Sequence, residues 1–269
     1  MLLRRGHELN DEDADIFFVF AERLSNYSWG GGGEVVRAWK VGEGNNLCAK
    51  LVDKNKLGDT QFERLVREVE NQSRLNHPRV VRLVVVLETP STAFLVMEYA
   101  KGGDLHNYMR RAWRKLRRRL PTDLLIRLFT NMLLCIAVLH GAGILHRDLK
   151  LENFVIMNMI GDSVLDLEDP DVTVCDFGTS LDTRAPEGQA LTRGARENTP
   201  GIGTRAYMAP EVCADRAHPT KKTKYDSKAD MWSLGVCFYV FFGDLLPFGE
   251  DGPLPSGYDP AIVRRVVKR

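Results

Sequence analysis

An α+β fold with two segregated layers is predicted by the order in which hydrophobic periods change along the 269 residues. Short β-rich runs separated by turn residues come first and helical periods follow, with a Lys101-Gly102-Gly103 break between them. Residues 1–15 are polar and acidic and read as a tail. Strand-like runs then occupy residues 16–20, 35–39 and 47–52, which suggests an antiparallel sheet. Residues 62–75 change period, since Phe62, Leu65, Val66 and Val69 fall on one helical face. Two further strands are expected at 80–87 and 93–99. Beyond the glycine break, Leu124, Leu125, Leu128, Met132, Ile136 and Leu139 mark a long amphipathic helix. Strands first and helices later place a cleft where the two layers meet.

Composition bounds the partners. The hydrophobic fraction of 44% and charged fraction of 27% are ordinary for a soluble globular protein. A formal net charge of +1 provides no global field toward nucleic acid, and no specific nucleic-acid signal is present. The five cysteines (Cys48, Cys135, Cys175, Cys213 and Cys237) are odd in number and lack a C-x-x-C pair, which argues for a reducing compartment. The amino terminus has no apolar core of signal-peptide length, and the longest apolar candidate, 128–145, is broken by Asn131 and His140. The expectation is no transmembrane segment and a cytoplasmic or nuclear location.

Two charged stretches interrupt this pattern. Residues 162–171 carry Asp162, Asp166, Glu168, Asp169 and Asp171 and are expected to form a hairpin-like loop. Residues 110–119 hold seven basic side chains, with Trp113, Leu116 and Leu120 at i, i+3 and i+7. Such a helix either packs its apolar stripe on the lobe or presents a basic amphipathic face to calmodulin or an acidic surface.

The chemistry concentrates at His146-Arg147-Asp148-Leu149-Lys150-Leu151-Glu152-Asn153, a polar cluster between apolar segments. Polar groups there need a cleft, because an unpaired charge in a dry core is costly. H-R-D-L-x-x-x-N resembles the catalytic loop of protein kinases. Other strings then match that family in its own order. Gly30-Gly31-Gly32-Gly33 before Val35 resembles the glycine-rich loop, with Gly30 and Gly33 as its second and third glycines, although Ser28 and Gly32 depart from the pattern. A glycine-rich hairpin is the alternative reading of that run. Leu47-Cys48-Ala49-Lys50 resembles the V-A-I-K strand, 94–104 the hinge, Val174-Cys175-Asp176-Phe177-Gly178 the D-F-G segment, 203–211 the A-P-E region and 226–235 the D-x-W-S-x-G helix. The chain is thus similar to a two-lobed protein-kinase-like fold, with a small antiparallel-sheet N lobe and hinge over 16–100 and a mainly helical C lobe over 101–269. Within the family the fine pattern looks nearest to calcium/calmodulin-type kinases.

The resemblance implies an ATP- and Mg2+-dependent protein serine/threonine kinase acting on a protein substrate, with a pseudokinase scaffold as the alternative. It makes Asp148 the acceptor or orienter of the substrate hydroxyl proton and Lys150 a contact to the γ-phosphate. Asn153 and Asp176 become metal ligands, and Lys50 the phosphate contact held by Glu68, with Glu63 and Glu70 as other carboxylates on the same helix. It places adenine against the main chain of Glu98 and Ala100, with Val35, Cys48 and Val155 as walls, Met97 at the back and Asp104 near the ribose. Arg147 is the arginine that would pair with a phosphorylated Thr199, whereas His146 reads as a packed structural residue. Thr204 again resembles the serine/threonine class, and Asp230 braces the loop. The family normally continues past residue 269, so the C lobe is expected to be incomplete, Glu211 to lack a partner, and the isolated chain to show low activity or stability.

Overall fold

The computed structural model describes residues 18–24, 34–40, 46–116, 120–158, 170–184, 203–217, 226–243 and 245–249. Strands β1 (Phe18–Arg23), β2 (Glu34–Lys40), β3 (Leu47–Asp53), β4 (Leu83–Glu88) and β5 (Thr92–Glu98) form one antiparallel sheet in the order β1-β2-β3-β5-β4. Alternation sorts β3 into two faces. Ala49 packs with Val36, Ala38 and Val96 on one side, while Cys48 and Val52 join Val35, Leu95 and Met97 on the other. Lys50 lies in phase with Cys48 and Val52, so the sheet points it toward the cleft. Helix α1 (Asp59–Arg74) connects β3 to β4 and seats Leu65 and Val69 in the second of these clusters. It begins ahead of the periodic residues because Gln61 accepts the Gly58 N–H at 3.0 Å and Asp59 favours the positive end of the helix.

Two strand boundaries differ from expectation. Among the described residues the first strand is Phe18–Arg23, which runs past the expected end at residue 20 with a register shift between Phe20 and Arg23. The strand expected from residue 80 begins only at Leu83. Val80 instead closes a turn onto the His77 carbonyl at 2.9 Å, and Val81 donates to Val174 across the lobe boundary at 3.0 Å. Their apolar character serves the junction between layers, not the sheet.

The helical layer contains β6 (Gly103–Asp104), α2 (Leu105–Leu116), α3 (Thr122–Gly141), β7 (Ile144–Leu145), β8 (Phe154–Ile156), β9 (Val172–Val174), β10 (Leu181–Asp182), α4 (Pro210–Ala217) and α5 (Ser227–Gly243). Strands β6, β8 and β9 make a small antiparallel sheet, and β7 pairs with β10. Helix α3 is long and apolar enough, by length and composition alone, to cross a membrane. Part of its hydropathy serves the core: Leu124, Leu125, Leu128, Met132, Ile136 and Leu139 are all buried beside Leu234, Cys237 and Phe241 of α5, while Ile126, Leu133 and Leu134 are exposed.

The basic helix resolves in the same way. Trp113 and Leu116 pack against that core and Leu120 is buried, whereas Arg110, Arg111, Arg114 and Lys115 are exposed. A partner reading the apolar stripe would have to lift α2 off the lobe; the cationic face is open. Glu211 is only half-buried, so the full cost expected of a buried unpaired carboxylate does not arise. Residues 16 and 17, the glycine run, most of the acidic stretch and Thr199 lie outside the described residues.

Asp230 of α5 ties the helical core to the 146–153 loop. It is 1% exposed and its carboxylate accepts the backbone N–H groups of His146 and Arg147 at 2.9 Å each, with His140 Nε2 at 2.8 Å. Removing it strands two buried donors, each costing about 1–3 kcal/mol. Asp230→Ala is therefore expected to lose about 3 kcal/mol or more in urea unfolding, and Asp230→Asn, which keeps one acceptor oxygen, to lose less.

Candidate active site

Two adjoining recesses lie between the layers. One is apolar and sits under the sheet beside the 98–100 segment, walled by Val35, Cys48, Met97 and Val155 and edged by Glu98 and Ala100. The other is a polar cavity of about 320 Å³ that brings together Lys50, Glu68, Asp148, Lys150 and Asp176. Residues separated by more than a hundred positions in sequence thus meet in one space.

Lys50 is placed by β3 and fixed by α1. Its ammonium lies 2.8 Å from both carboxylate oxygens of Glu68, and both side chains are buried. Among the three carboxylates expected on this helix, Glu68 is the one that faces the lysine; Glu63 and Glu70 are only half-buried. Burial by itself pushes the lysine down, but the charges of Glu68 and Asp176 outweigh it and hold Lys50 above its ordinary value of 10.5. Lys50 therefore keeps its own charge until pH rises beyond 10.5. Burial, reinforced by Asp176, raises the Glu68 carboxyl, with Lys50 opposing.

The 146–153 loop supplies the floor. Asp148 Oδ1 accepts the Thr204 N–H at 2.6 Å and the Thr204 hydroxyl at 2.9 Å, while Lys150 Nζ lies 3.2 Å from Asp148 Oδ2 and donates to Thr204 Oγ1 at 3.1 Å. Burial lowers the Lys150 ammonium, yet Asp148 more than offsets this and raises it. Thr204 therefore aligns a carboxylate and an ammonium. Its approach requires Gly203, which has φ +107° and whose missing Cβ would come 2.6 Å from the Arg147 carbonyl. Asn153 donates Nδ2 to the Asp148 carbonyl at 2.7 Å. That bond orients the amide and assigns Oδ1 as its remaining acceptor.

Arg147 and Asp176 both have φ 67°, a left-handed backbone that costs about 1–2 kcal/mol for a residue with a side chain. Such strain persists only where neighbours over-determine it. Arg147 donates Nε to the Thr179 carbonyl at 2.6 Å, and His146 is fully buried with Nε2 2.9 Å from the Cys175 carbonyl and its ring 5.6 Å from that of Phe177. His146 is thus a packed residue.

The remaining expected residues have specific settings. The Glu98 carboxylate pairs outward with Arg82 at 2.9 Å, so only its main chain borders the apolar recess. Asp104 caps α2, its two oxygens accepting the Asn107 N–H and amide at 2.8 Å each, so a ribose hydroxyl would have to share them. Gly30 and Gly33 lie outside the described residues. Sequence reasoning missed Asn71 and Gln72. Both are buried; Gln72 donates to the Val81 carbonyl at 2.8 Å and to Met97 Sδ at 3.5 Å, propping the back of the apolar recess. Their signal was available: with Glu68 they form an i, i+3, i+4 polar set beside the buried Leu65 and Val69.

With this geometry in place, the family comparison is direct. The protein kinase domain family matches residues 26–257, and the chain belongs to that family. It is 30% identical over 250 residues to CBL-interacting serine/threonine-protein kinase 13 of Arabidopsis thaliana, covering 87% of this chain and 44% of the relative. It is 34% identical over 219 residues to CBL-interacting protein kinase 30 of Oryza sativa subsp. japonica, covering 81% and 40%. Maternal embryonic leucine zipper kinase of Xenopus tropicalis is 30% identical over 240 residues, covering 89% and 32%. The chain spans less than half the length of these relatives.

Burial raises the Cys48 thiol in the apolar recess to about 12, and only the thiolate is alkylated. Iodoacetamide labelling of Cys48, followed by peptide mass spectrometry, should be negligible at pH 8 and climb only as pH approaches 12. Rapid labelling at pH 8 would contradict a sealed, thiol-lined wall.

Proposed function

We propose that the chain transfers the γ-phosphoryl group of ATP, with Mg2+, to serine or threonine hydroxyls of protein substrates. The observation that carries this is the polar cavity in which Lys50, clamped by Glu68, faces Asp176, Asp148 and Lys150. The apolar recess beside it would take the purine edge-on to the 98–100 main chain, which would send a triphosphate toward Lys50. The donor set also suits Mg2+. Asp176 and the Asn153 amide oxygen offer hard oxygen ligands, and magnesium rarely takes a full protein cage, completing its shell with phosphates and water. Among the described residues no group of three or more His, Cys, Asp or Glu forms a protein-only metal cluster. When bound, the ion neutralises phosphate charge.

In this reading Lys50 holds the α- and β-phosphates and Lys150 the γ-phosphate. Asp148, aligned by Thr204, orients the substrate hydroxyl and accepts its proton. The hydroxyl oxygen bonds to the γ-phosphorus as the bond to the β-phosphate oxygen breaks, and ADP leaves. Catalysis by such a site rests on positioning and charge neutralisation. The Lys150–Thr204 bond supports the serine/threonine class, since it places the lysine beside the carboxylate that meets the hydroxyl. The name of the Arabidopsis thaliana relative, a serine/threonine-protein kinase, points the same way.

The test is phosphate transfer from labelled ATP to a mixed peptide library. Asp148→Asn and Asp176→Ala should each fall by about 100-fold or more, the usual scale for a positioned base. Equal signal in all three proteins would sink the enzyme reading and leave a nucleotide- or partner-binding scaffold.

A further inference from the structure

Helix α1 turns three polar groups, at i, i+3 and i+6, toward different partners. Glu68 meets Lys50 at 2.8 Å, Asn71 Nδ2 donates to Ser180 Oγ at 2.7 Å, and Arg74 pairs with Asp182 at 2.7 Å. The first contact joins the helix to the sheet. The other two join it to the segment that follows Asp176. Arg74 is exposed, and a surface pair of that kind contributes little. The middle contact is different, for Asn71 is 3% exposed and Ser180 is 0%. Ser180 Oγ donates onward to the Phe177 carbonyl at 2.6 Å, and Ser180 N–H donates to the same carbonyl at 3.0 Å. Asn71 amide, Ser180 hydroxyl and Phe177 carbonyl therefore form one directional relay from α1 into the Asp176–Gly178 turn.

We propose that this relay is a latch that positions Asp176, and that Asn71 and Ser180 are positioning residues for the phosphoryl transfer. The inference rests on the kinase reading for its kinetic consequence, though not for its structural one. Asp176 stands in a left-handed backbone directly before Phe177, so the turn carries strain that its neighbours must hold. Phe177 is held by burial and by the His146 ring, and its carbonyl by Ser180. A serine hydroxyl can accept from Asn71 and donate to Phe177 at once, and alanine can do neither. Cutting the relay leaves the Asn71 amide unpaired in a dry site, and local opening of the turn relieves it. Because the latch sits on the helix that carries Glu68, seating of α1 and placement of Asp176 become one event. The opening would also uncover Cys175, which is fully buried and adjoins Asp176.

Asn71→Ala, Ser180→Ala and the double variant of the full chain test this by kinetics and by N-ethylmaleimide labelling of Cys175. Each single variant should lose about tenfold in kcat, the scale of one buried hydrogen bond, with affinity for adenosine, which lacks the phosphates that Lys50 and Asp176 would meet, little changed because the apolar recess is untouched. The double variant should fall no further than the worse single one, and Cys175 should label faster in all three. Should Asn71→Ala fail to fold, Ser180→Ala, which removes one oxygen atom, carries the test alone. Unchanged kcat, losses that multiply in the double variant, or wild-type labelling of Cys175 would overturn the latch. If the wild-type chain transfers no phosphate, the labelling decides: faster labelling upholds the latch and moves the failure to the kinase reading, and an unchanged rate overturns the latch itself.

Discussion

The buried pair of Lys50 and Glu68 is the constraint on which the rest of the site depends. Two charges withdrawn from water cost more than a hydrophobic contact of the same size, so the pair is a poor source of stability. It is a good source of position. The ammonium is satisfied only when β3 and α1 stand at one separation and one rotation, with both oxygens 2.8 Å away. The strand contributes its two-residue period, which turns Lys50 to the same side as Cys48 and Val52; the helix contributes its own period, which buries Leu65 and Val69 and carries Glu68 inward with them. Asp176 adds a second negative charge near the lysine. Sheet, helix and the Asp176 turn are consequently referenced to a single cation.

Below the cleft the same economy appears as anchoring of strained backbone. Asp230 takes two N–H groups at the start of the 146–153 loop, one of them from the left-handed Arg147. The Cys175 carbonyl before the left-handed Asp176 is held by His146, and the Phe177 carbonyl after it by Ser180. One of these unfavourable residues, Arg147, directly precedes Asp148, and the other is Asp176 itself; both carboxylates carry roles in the proposed function. Under the proposed function, fixed geometry there matters because phosphoryl transfer asks for alignment more than for reactive side chains.

Much of this was legible in the sequence, for a physical reason. Lys50, Asp148, Lys150, Asn153 and Asp176 sit in short motifs whose internal spacing is set by one strand or one loop, and the resemblance of those motifs to protein kinases related them to one another across more than a hundred positions. Long-range choices were harder. Glu68 had Glu63 and Glu70 as competitors, and only the seating of α1 separates them. Val80 and Val81 read as sheet because apolar β-branched residues look alike whether they extend a strand or bridge two layers. Asn71 and Gln72 were overlooked because polar residues on a helix are ordinarily read as its wet face; the buried relay and the prop behind Met97 exist only once the helix is docked. Asp104 had an obvious local role as a helix cap, hidden by its place in the hinge.

A double-mutant cycle on Lys50→Met and Glu68→Gln, read by Mg2+-ATP binding to the full chain, tests the central dependence most directly. If Glu68 acts by placing Lys50, each single substitution weakens binding and the pair together is no weaker than Lys50→Met alone, a coupling of about 1–3 kcal/mol. Independent, additive losses would contradict the account.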